Sequence, residues 1–148
     1  MRKIFFALCF CIGAGAFGLR AGEQIPASIC KSLTPVAART YVVDFFASWC
    51  TSCRHELPQI EKLSRRLADR NISIVGVDVD EVAEEGRAFR RALGLSFRVV
   101  EDPAGKIVAS FDPAGIPALY IVSGCSVRGA IIGAHDDIDK LLLQILPR

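Results

Sequence analysis

Two cysteines separated by two residues, Cys50 and Cys53, form the most reactive pair of side chains in this sequence. A strand-like apolar run over residues 41–46 precedes them, and a helical pattern follows. At the first turn of a helix, free backbone N–H groups and the macrodipole stabilise a thiolate, which is the nucleophile of disulfide exchange. The motif therefore predicts a redox-active dithiol, with a structural disulfide or a metal site as the alternatives.

A metal site at this pair would need more ligands at suitable spacing. Structural zinc is held by four ligands that usually come in closely spaced pairs. The remaining candidates, Cys30, His55 and Cys125, do not form a second pair. The acids around residue 80 lack the spacing and the glycine of an EF-hand loop. We therefore expect no metal ion and no small-molecule cofactor.

Hydrophobic periodicity predicts the elements that position the pair. In chain order these are a strand at 41–46, a helix at 50–69, a strand at 73–79, a helix at 82–93, strands at 118–122 and 127–132, and a helix at 136–146. Pro58 should kink the first helix. The stretch 97–111 shows only a turn signal. The pattern indicates an α/β fold, a mixed sheet flanked by helices, with the last two strands forming a hairpin.

The N-terminus has the layout of a secretory signal peptide. A basic start is followed by an uncharged apolar run over residues 4–19, and small residues at 14–16 and 19–21 offer two cleavage sites. The run is shorter than the ~20 residues that span a bilayer as a helix. We predict a leader at residues 1–21, with an uncleaved membrane anchor as the alternative, and an entry segment at 22–40.

The charge balance gives no support for an anionic partner. The chain has 18 basic and 16 acidic residues, and removal of the leader would take away three basic residues and no acid. The remaining net charge of −1 does not favour nucleic acid or an anionic membrane surface. The arginines between residues 87 and 98 are better explained as a solvated helix face.

Two further cysteines, Cys30 and Cys125, would remain after removal of the leader. An exported protein meets oxidising surroundings, where disulfides persist. The sequence alone does not bring two distant sulfur atoms within bonding distance. The pair is expected to form either a structural disulfide or two buried thiols, and neither alternative is favoured.

Three segments together resemble the thioredoxin superfamily. Residues 43–53, VDFFASWCTSC, match its strand and active-site entrance. Residues 54–58, RHELP, resemble the exported TlpA/ResA branch, whose motif is C-x-x-C-[RK]-x-E-x-P. Residues 115–120, GIPALY, match the cis-proline loop before the third core strand. The resemblance covers residue 41 to the C-terminus and implies a thioredoxin fold with its domain at 41–148.

The resemblance implies roles for the CxxC pair and for two acids. Cys50 is the attacking nucleophile and Cys53 resolves the mixed disulfide. Asp44, where the TlpA/ResA branch usually has asparagine, would lie under the active-site helix with a raised pKa and take the proton from Cys53. Glu56, one turn after Cys53, would tune the acidity of the cysteines. The alternatives are a satisfied core acid at Asp44 and an exposed helix acid at Glu56.

The resemblance also implies how a substrate is held. Pro117 would follow a cis peptide bond beside the CxxC pair, and the Ile116 backbone would be free to pair with an extended substrate segment. Trp49 would offer an apolar contact beside Cys50. The alternatives are an ordinary trans-proline turn and simple packing of Trp49 at the strand end.

These features predict an exported, periplasmic or otherwise extracytoplasmic thiol–disulfide oxidoreductase. By resemblance, it would reduce disulfides of cysteine-containing exported proteins, in cytochrome c assembly or metal-site maturation, with electrons from a membrane thiol carrier. An oxidase or isomerase of the same fold is one alternative. A copper chaperone with two thiolate ligands is another, although Met1 is the chain's only methionine.

Overall fold

Five strands form one mixed sheet, with the strand that precedes the CxxC pair at its centre. The computed structural model describes residues 18–34 and 39–146. Its strands are β1 (Thr40–Phe46), β2 (Ile72–Asp78), β3 (Arg98–Glu101), β4 (Ala118–Ser123) and β5 (Ser126–Ile132). Their order is β3-β2-β1-β4-β5, with β1 parallel to β2 and antiparallel to β4. All of β1 after its first residue is buried, as a continuous apolar run predicts for a central strand.

Helices cover both faces of this sheet. They are α1 (Ala27–Leu33), α2 (Thr51–Ala68), α3 (Ala83–Leu93), α4 (Lys106–Phe111) and α5 (Ile138–Ile145). Val43 and Phe45 of β1 belong to a core cluster with residues of α1 and α4. Val42 and Phe46 belong to clusters with α2, α3 and α5. Because successive strand side chains point to opposite faces, α1 and α4 cover one face and the other three helices cover the second.

Helix α2 carries the CxxC pair and is held by one apolar stripe. Leu57, Ile60, Leu63 and Leu67 recur at intervals of three and four and are at most 1% exposed. Basic residues occupy its last turn, where they suit the negative end of the helix dipole. The helix continues through Pro58, and the expected kink there stays a prediction.

Three short elements were not predicted from the sequence: α1, β3 and α4. Helix α1 lies in the segment 22–40, where no regular element was expected, and Arg98 donates hydrogen bonds to its last carbonyls, those of Ser32 and Leu33. The carboxylate of Asp102 accepts the backbone N–H groups of Ile107 and Val108 at the start of α4. These elements depend on contacts with residues outside the element itself. A hydrophobic period within the element does not reflect such contacts, so the sequence pattern did not indicate them.

The end of the predicted leader contacts the folded domain. The Leu19 N–H donates to the Phe111 carbonyl at 2.9 Å, and the N–H of Gly22, the first residue after the predicted leader, donates to the Val127 carbonyl at 2.8 Å. Leu19 also packs against the core cluster of α1 and α4. The first 17 residues of the predicted leader lie outside the described residues. No helix in the described part of the chain is long and apolar enough to cross a membrane. The leader and its boundary stay predictions.

Cys30 and Cys125 form a disulfide, which decides between the two alternatives left open by the sequence. The bond joins α1 to the β4–β5 turn across a sequence separation of 95 residues, with the two Cα atoms 5.6 Å apart. Ser123, just before this turn, pairs with Thr40 at the start of β1, whereas Cys50 follows the end of β1. The two disulfides therefore lie at opposite ends of the central strand.

We expect the Cys30→Ala/Cys125→Ala protein to lose about 2–4 kcal/mol of unfolding free energy, because the crosslink removes closure entropy of a long loop from the denatured chain. Urea unfolding of the oxidised proteins measures the difference. Cys50→Ala/Cys53→Ala is the matched control, since its crosslink spans a separation of only 3 residues and should cost much less. Equal unfolding midpoints for the wild type and the Cys30/Cys125 variant would show that the Cys30–Cys125 disulfide does not stabilise the fold.

Candidate active site

The disulfide between Cys50 and Cys53 lies at the N-terminus of α2. The sulfur atoms are bonded and the Cα atoms are 5.3 Å apart. Cys50 is the N-cap residue, and its Sγ accepts the backbone N–H of Cys53 at 3.1 Å. The first N–H groups of a helix have no partner within the helix, so a sulfur at this position receives them. The arrangement stabilises a thiolate on Cys50 once the disulfide is reduced.

The two sulfurs differ in access. Cys50 is 7% exposed, whereas Cys53 is fully buried one turn into the helix. Both belong to an apolar cluster that includes Phe46, Leu57 and Phe89. An incoming disulfide can therefore reach Cys50 first, and Cys53 can react only with a sulfur already attached to Cys50. This asymmetry fits a nucleophile followed by a resolving thiol.

Asp80 anchors the loop between β1 and α2, a role that the sequence analysis did not assign. Its carboxylate accepts the backbone N–H of Ser48 at 2.8 Å and the Ser48 hydroxyl at 2.7 Å. The backbone N–H of Asp80 donates to Asp78, and Gly86 leaves room for that second carboxylate, since a Cβ there would overlap it. β1 and β2 are parallel, so their carboxyl ends meet at one edge. That topology was the available signal for pairing Ser48 with Asp80.

Asp44 lies in β1 on the face that α2 covers. It stands between Val42 and Phe46, which both pack against that helix, and strand alternation places it on their side. The side chain is 2% exposed, and its Oδ2 atom has no hydrogen-bond partner among the described residues. Burial, and then the charge of Glu56, raise the pKa of Asp44 well above its usual value. The carboxyl group is thus set to hold a proton.

Glu56 is buried, so the alternative of an exposed helix acid is wrong. The side chain is 3% exposed, and neither carboxylate oxygen has a hydrogen bond of ordinary geometry within the described chain. Burial raises the pKa of Glu56 to about 7, while the nearby backbone amide of His135 acts in the lowering direction. The His135 side chain is exposed, so only the backbone of this residue acts on Glu56. Asp44 and Glu56 form an interacting pair of buried acids.

The loop that contains Pro117 lies against the cysteines. The Ile116–Pro117 peptide bond is cis, as the sequence predicts. The Ile116 side chain packs against the cluster that contains Cys50 and Cys53. The backbone of Ile116 forms no hydrogen bond with the described residues, which leaves its N–H and C=O open. Trp49, the residue before Cys50, is 67% exposed.

No cluster of three or more potential metal ligands of the His, Cys, Asp and Glu types occurs in the two described ranges. The site consists of a dithiol, two buried acids, an open backbone edge and an exposed indole. Such a set of groups supports thiol–disulfide exchange through sulfur and proton transfer.

Removal of the Asp80 carboxylate should loosen the loop that carries Cys50. We expect Asp80→Ala to lose about 1–3 kcal/mol of stability, because both Ser48 donors lose their acceptor, and to lower the protection of the Ser48 amide in hydrogen exchange. Ser48→Ala is the control, since it keeps the backbone bond and should lose only about 0.5–1.5 kcal/mol. Unchanged protection of the Ser48 amide in Asp80→Ala would contradict the anchor.

Comparisons with known proteins agree with this geometry. Residues 27–128 match the model of the AhpC/TSA family. The thioredoxin-like protein YneN of Bacillus subtilis is 30% identical over 128 residues, which cover 80% of this chain and 72% of YneN. The thiol–disulfide oxidoreductase ResA of Bacillus thuringiensis is 25% identical over 108 residues, 71% of this chain and 62% of ResA.

A solved structure confirms the fold. The thioredoxin domain of a thiol–disulfide oxidoreductase from Bacteroides vulgatus superposes with a TM-score of 0.70 at 18% identity, covering 87% of this chain and 99% of that domain. The names of the relatives agree with the reactive pair found here, and they confirm the enzyme class expected from the sequence. The chain belongs to the AhpC/TSA family, with the thioredoxin fold and the CxxC site of a thiol–disulfide oxidoreductase.

Proposed function

We propose that the protein reduces disulfides in cysteine-containing proteins outside the cytoplasm. The observation that carries this proposal is the asymmetric pair at the start of α2, in which Cys50 retains a small exposed fraction and Cys53 has none. Export is supported by the signal-peptide layout of the sequence and by the second disulfide, since disulfides persist in oxidising compartments.

The reaction begins from the reduced pair. The Cys50 thiolate attacks one sulfur of the partner's disulfide, so that a Cys50–partner disulfide forms and the partner's other sulfur leaves as a thiolate. Cys53 then loses its proton and attacks the Cys50 sulfur. The Cys50–Cys53 bond forms, and the partner's second thiolate leaves and takes up a proton. Two electrons pass to the partner, and the protein ends in the oxidised form.

Asp44 and Glu56 are proposed to manage the proton of Cys53. The thiol is fully buried, so its proton needs an acceptor within the protein before the sulfur can attack. A carboxylate with a pKa near neutrality can accept and release a proton at working pH, and Glu56 has such a pKa of about 7. Asp44 interacts with Glu56, so ionisation of one acid disfavours ionisation of the other.

Pro117, Ile116 and Trp49 are proposed to hold the substrate. The open backbone edge at Ile116 can pair with an extended segment that carries the target cysteine, and Pro117, just before β4, keeps this edge beside the cysteines. The exposed indole of Trp49 offers an apolar contact next to Cys50.

The proposed electron donor is a membrane thiol carrier. A reductant in an oxidising compartment must be reduced again after each turnover, and this chain's own site supplies only one pair of electrons. By resemblance to the TlpA/ResA branch, the acceptors are proteins of cytochrome c assembly or metal-site maturation.

The reduction potential of the Cys50–Cys53 couple tests the direction of exchange. We expect a value near −270 mV, similar to thioredoxin, as a reductant requires. Equilibration with dithiothreitol or glutathione buffers, read by mass of the alkylated protein, measures it on the Cys30→Ala/Cys125→Ala background.

A potential of about −120 to −180 mV would instead identify an oxidase or isomerase. Two variants serve as matched controls for the assigned order of attack. Cys53→Ser should accumulate a mixed disulfide through Cys50, whereas Cys50→Ser should not. A mixed disulfide on Cys53 alone would contradict the assigned roles.

The raised pKa of Glu56 predicts a pH dependence of stability. The acid titrates at 4.5 when unfolded and at about 7 when folded, so between these values the folded state holds the extra proton. Stability should therefore fall as pH rises through this window, by up to about 3 kcal/mol. Glu56→Gln should remove this part of the fall, which urea unfolding at both ends of the window measures.

Glu84→Gln is the matched control for this pH effect. Hydrogen bonds from Arg91 and then Arg87 lower the pKa of exposed Glu84, so its removal should not flatten the fall between pH 4.5 and 7. Identical slopes for the wild type and Glu56→Gln would show that Glu56 does not hold a proton in the folded state.

A further inference from the structure

An exposed groove with both apolar and acidic lining residues lies next to Trp49, the residue before Cys50. Trp49 and Val82 are 67% and 54% exposed, which are large exposed fractions for apolar side chains. They line one groove of about 340 Å³ together with half-buried Val79. The groove runs between the loop that precedes α2 and the loop that precedes α3.

Carboxylates border this groove without cationic partners. Asp80, Glu81 and Glu85 line it. The carboxylate of Asp80 is bound to Ser48, whereas the side chains of Glu81 and Glu85 form no ion pair or hydrogen bond with the described part of the chain.

The neighbouring arginines do not neutralise the two glutamates. Arg87 is bound to Glu84 and Glu101, and Arg91 is bound to Glu84. Arg54 lies over the Phe89 ring, 4.6 Å from its centroid, and is not within 4.0 Å of either free carboxylate. The carboxylates of Glu81 and Glu85 are therefore available to form ion pairs with a bound molecule.

We propose that this groove binds the partner segment next to the target cysteine, and that it favours a segment with an apolar side chain and a lysine or arginine. The proposal rests on the proposed function. Trp49 directly precedes Cys50, so a partner chain bonded to the Cys50 sulfur must pass close to the groove. The apolar side chain would contact Trp49 and Val82, and the cation would lie between Glu81 and Glu85.

The two kinds of contact have different effects. Exposed charge pairs add modest affinity but raise the association rate and reject partners of the wrong sign. The apolar side chains of the groove, those of Trp49, Val79 and Val82, supply contact area whose contribution does not depend on salt. Glu81 and Glu85 therefore act as specificity residues, and they act on partner choice without touching the sulfur atoms.

The test uses two oxidised peptides of identical sequence, with lysine or with glutamate beside the disulfide cysteine. With the full-length wild type at low ionic strength, we expect kcat/KM for the lysine peptide to exceed that for the glutamate peptide about three- to tenfold. The ratio should approach one in about 1 M salt, where the screening length is only about 3 Å. Glu81→Gln/Glu85→Gln should also bring the ratio close to one, and Glu81→Lys/Glu85→Lys should invert it.

Glu84→Gln is the matched control, because Glu84 lies between the two residues in sequence but is bound to Arg87 and Arg91. It should keep the wild-type preference. A wild-type ratio of one, or a ratio that the double substitutions do not change, would overturn the groove proposal. Turnover of a small uncharged disulfide by the wild type tests the proposed function separately, since it needs Cys50 but not the groove.

Discussion

The contact on which the site depends is the hydrogen bond from the Cys53 backbone N–H to the Cys50 sulfur. It exists because α2 begins at the residue after Cys50, so that an N–H group of the first turn without a partner in the helix is bonded to the sulfur. The buried strand β1 ends at Phe46, and the apolar stripe of α2 fixes the position of that helix against the sheet. Only the short loop 47–50 connects the two elements, so the start of α2 is determined. The same geometry favours a negative charge on the Cys50 sulfur after reduction of the disulfide, and it keeps Cys53 covered.

Burial of the two acids near the cysteines costs stability, and it raises the pKa of both groups. A carboxyl group without hydrogen-bond partners is costly to bury, and the protein avoids the larger cost of burying its charge by keeping it protonated. Both oxygens of Glu56 and one oxygen of Asp44 lack a partner among the described residues. Glu56 belongs to α2, the helix that carries the thiols, and Asp44 lies in β1 on the face that this helix covers. By contrast, Asp102 and Asp80 are buried with their acceptor sites filled by backbone N–H groups. The filled acceptor sites of Asp80 and Asp102 fit a role in holding the fold, whereas carboxylate oxygens of Asp44 and Glu56 have no partner among the described residues.

The parts of the fold that could be predicted from the sequence are those whose pattern is local. Strand β1, helix α2 and the β4–β5 hairpin follow from runs, periods and turn residues within their own segments. Helix α1 was missed because its end is completed by Arg98, more than sixty residues away. The Cys30–Cys125 bond and the Ser48–Asp80 contact could not be placed for the same reason. The CxxC pair could be identified from sequence, since its chemistry depends on spacing and on the start of one helix.

The two disulfides lie at opposite ends of β1 and close very different lengths of chain. Cys30–Cys125 joins α1 to the β4–β5 turn far along the chain, and its sulfur atoms are distant from the reacting pair. Cys50–Cys53 closes a separation of only three residues, so its opening releases little chain entropy. A fold with this division can cycle its reactive disulfide while the crosslink that holds its N-terminal segment stays closed, which is the condition a redox site must meet in an oxidising compartment.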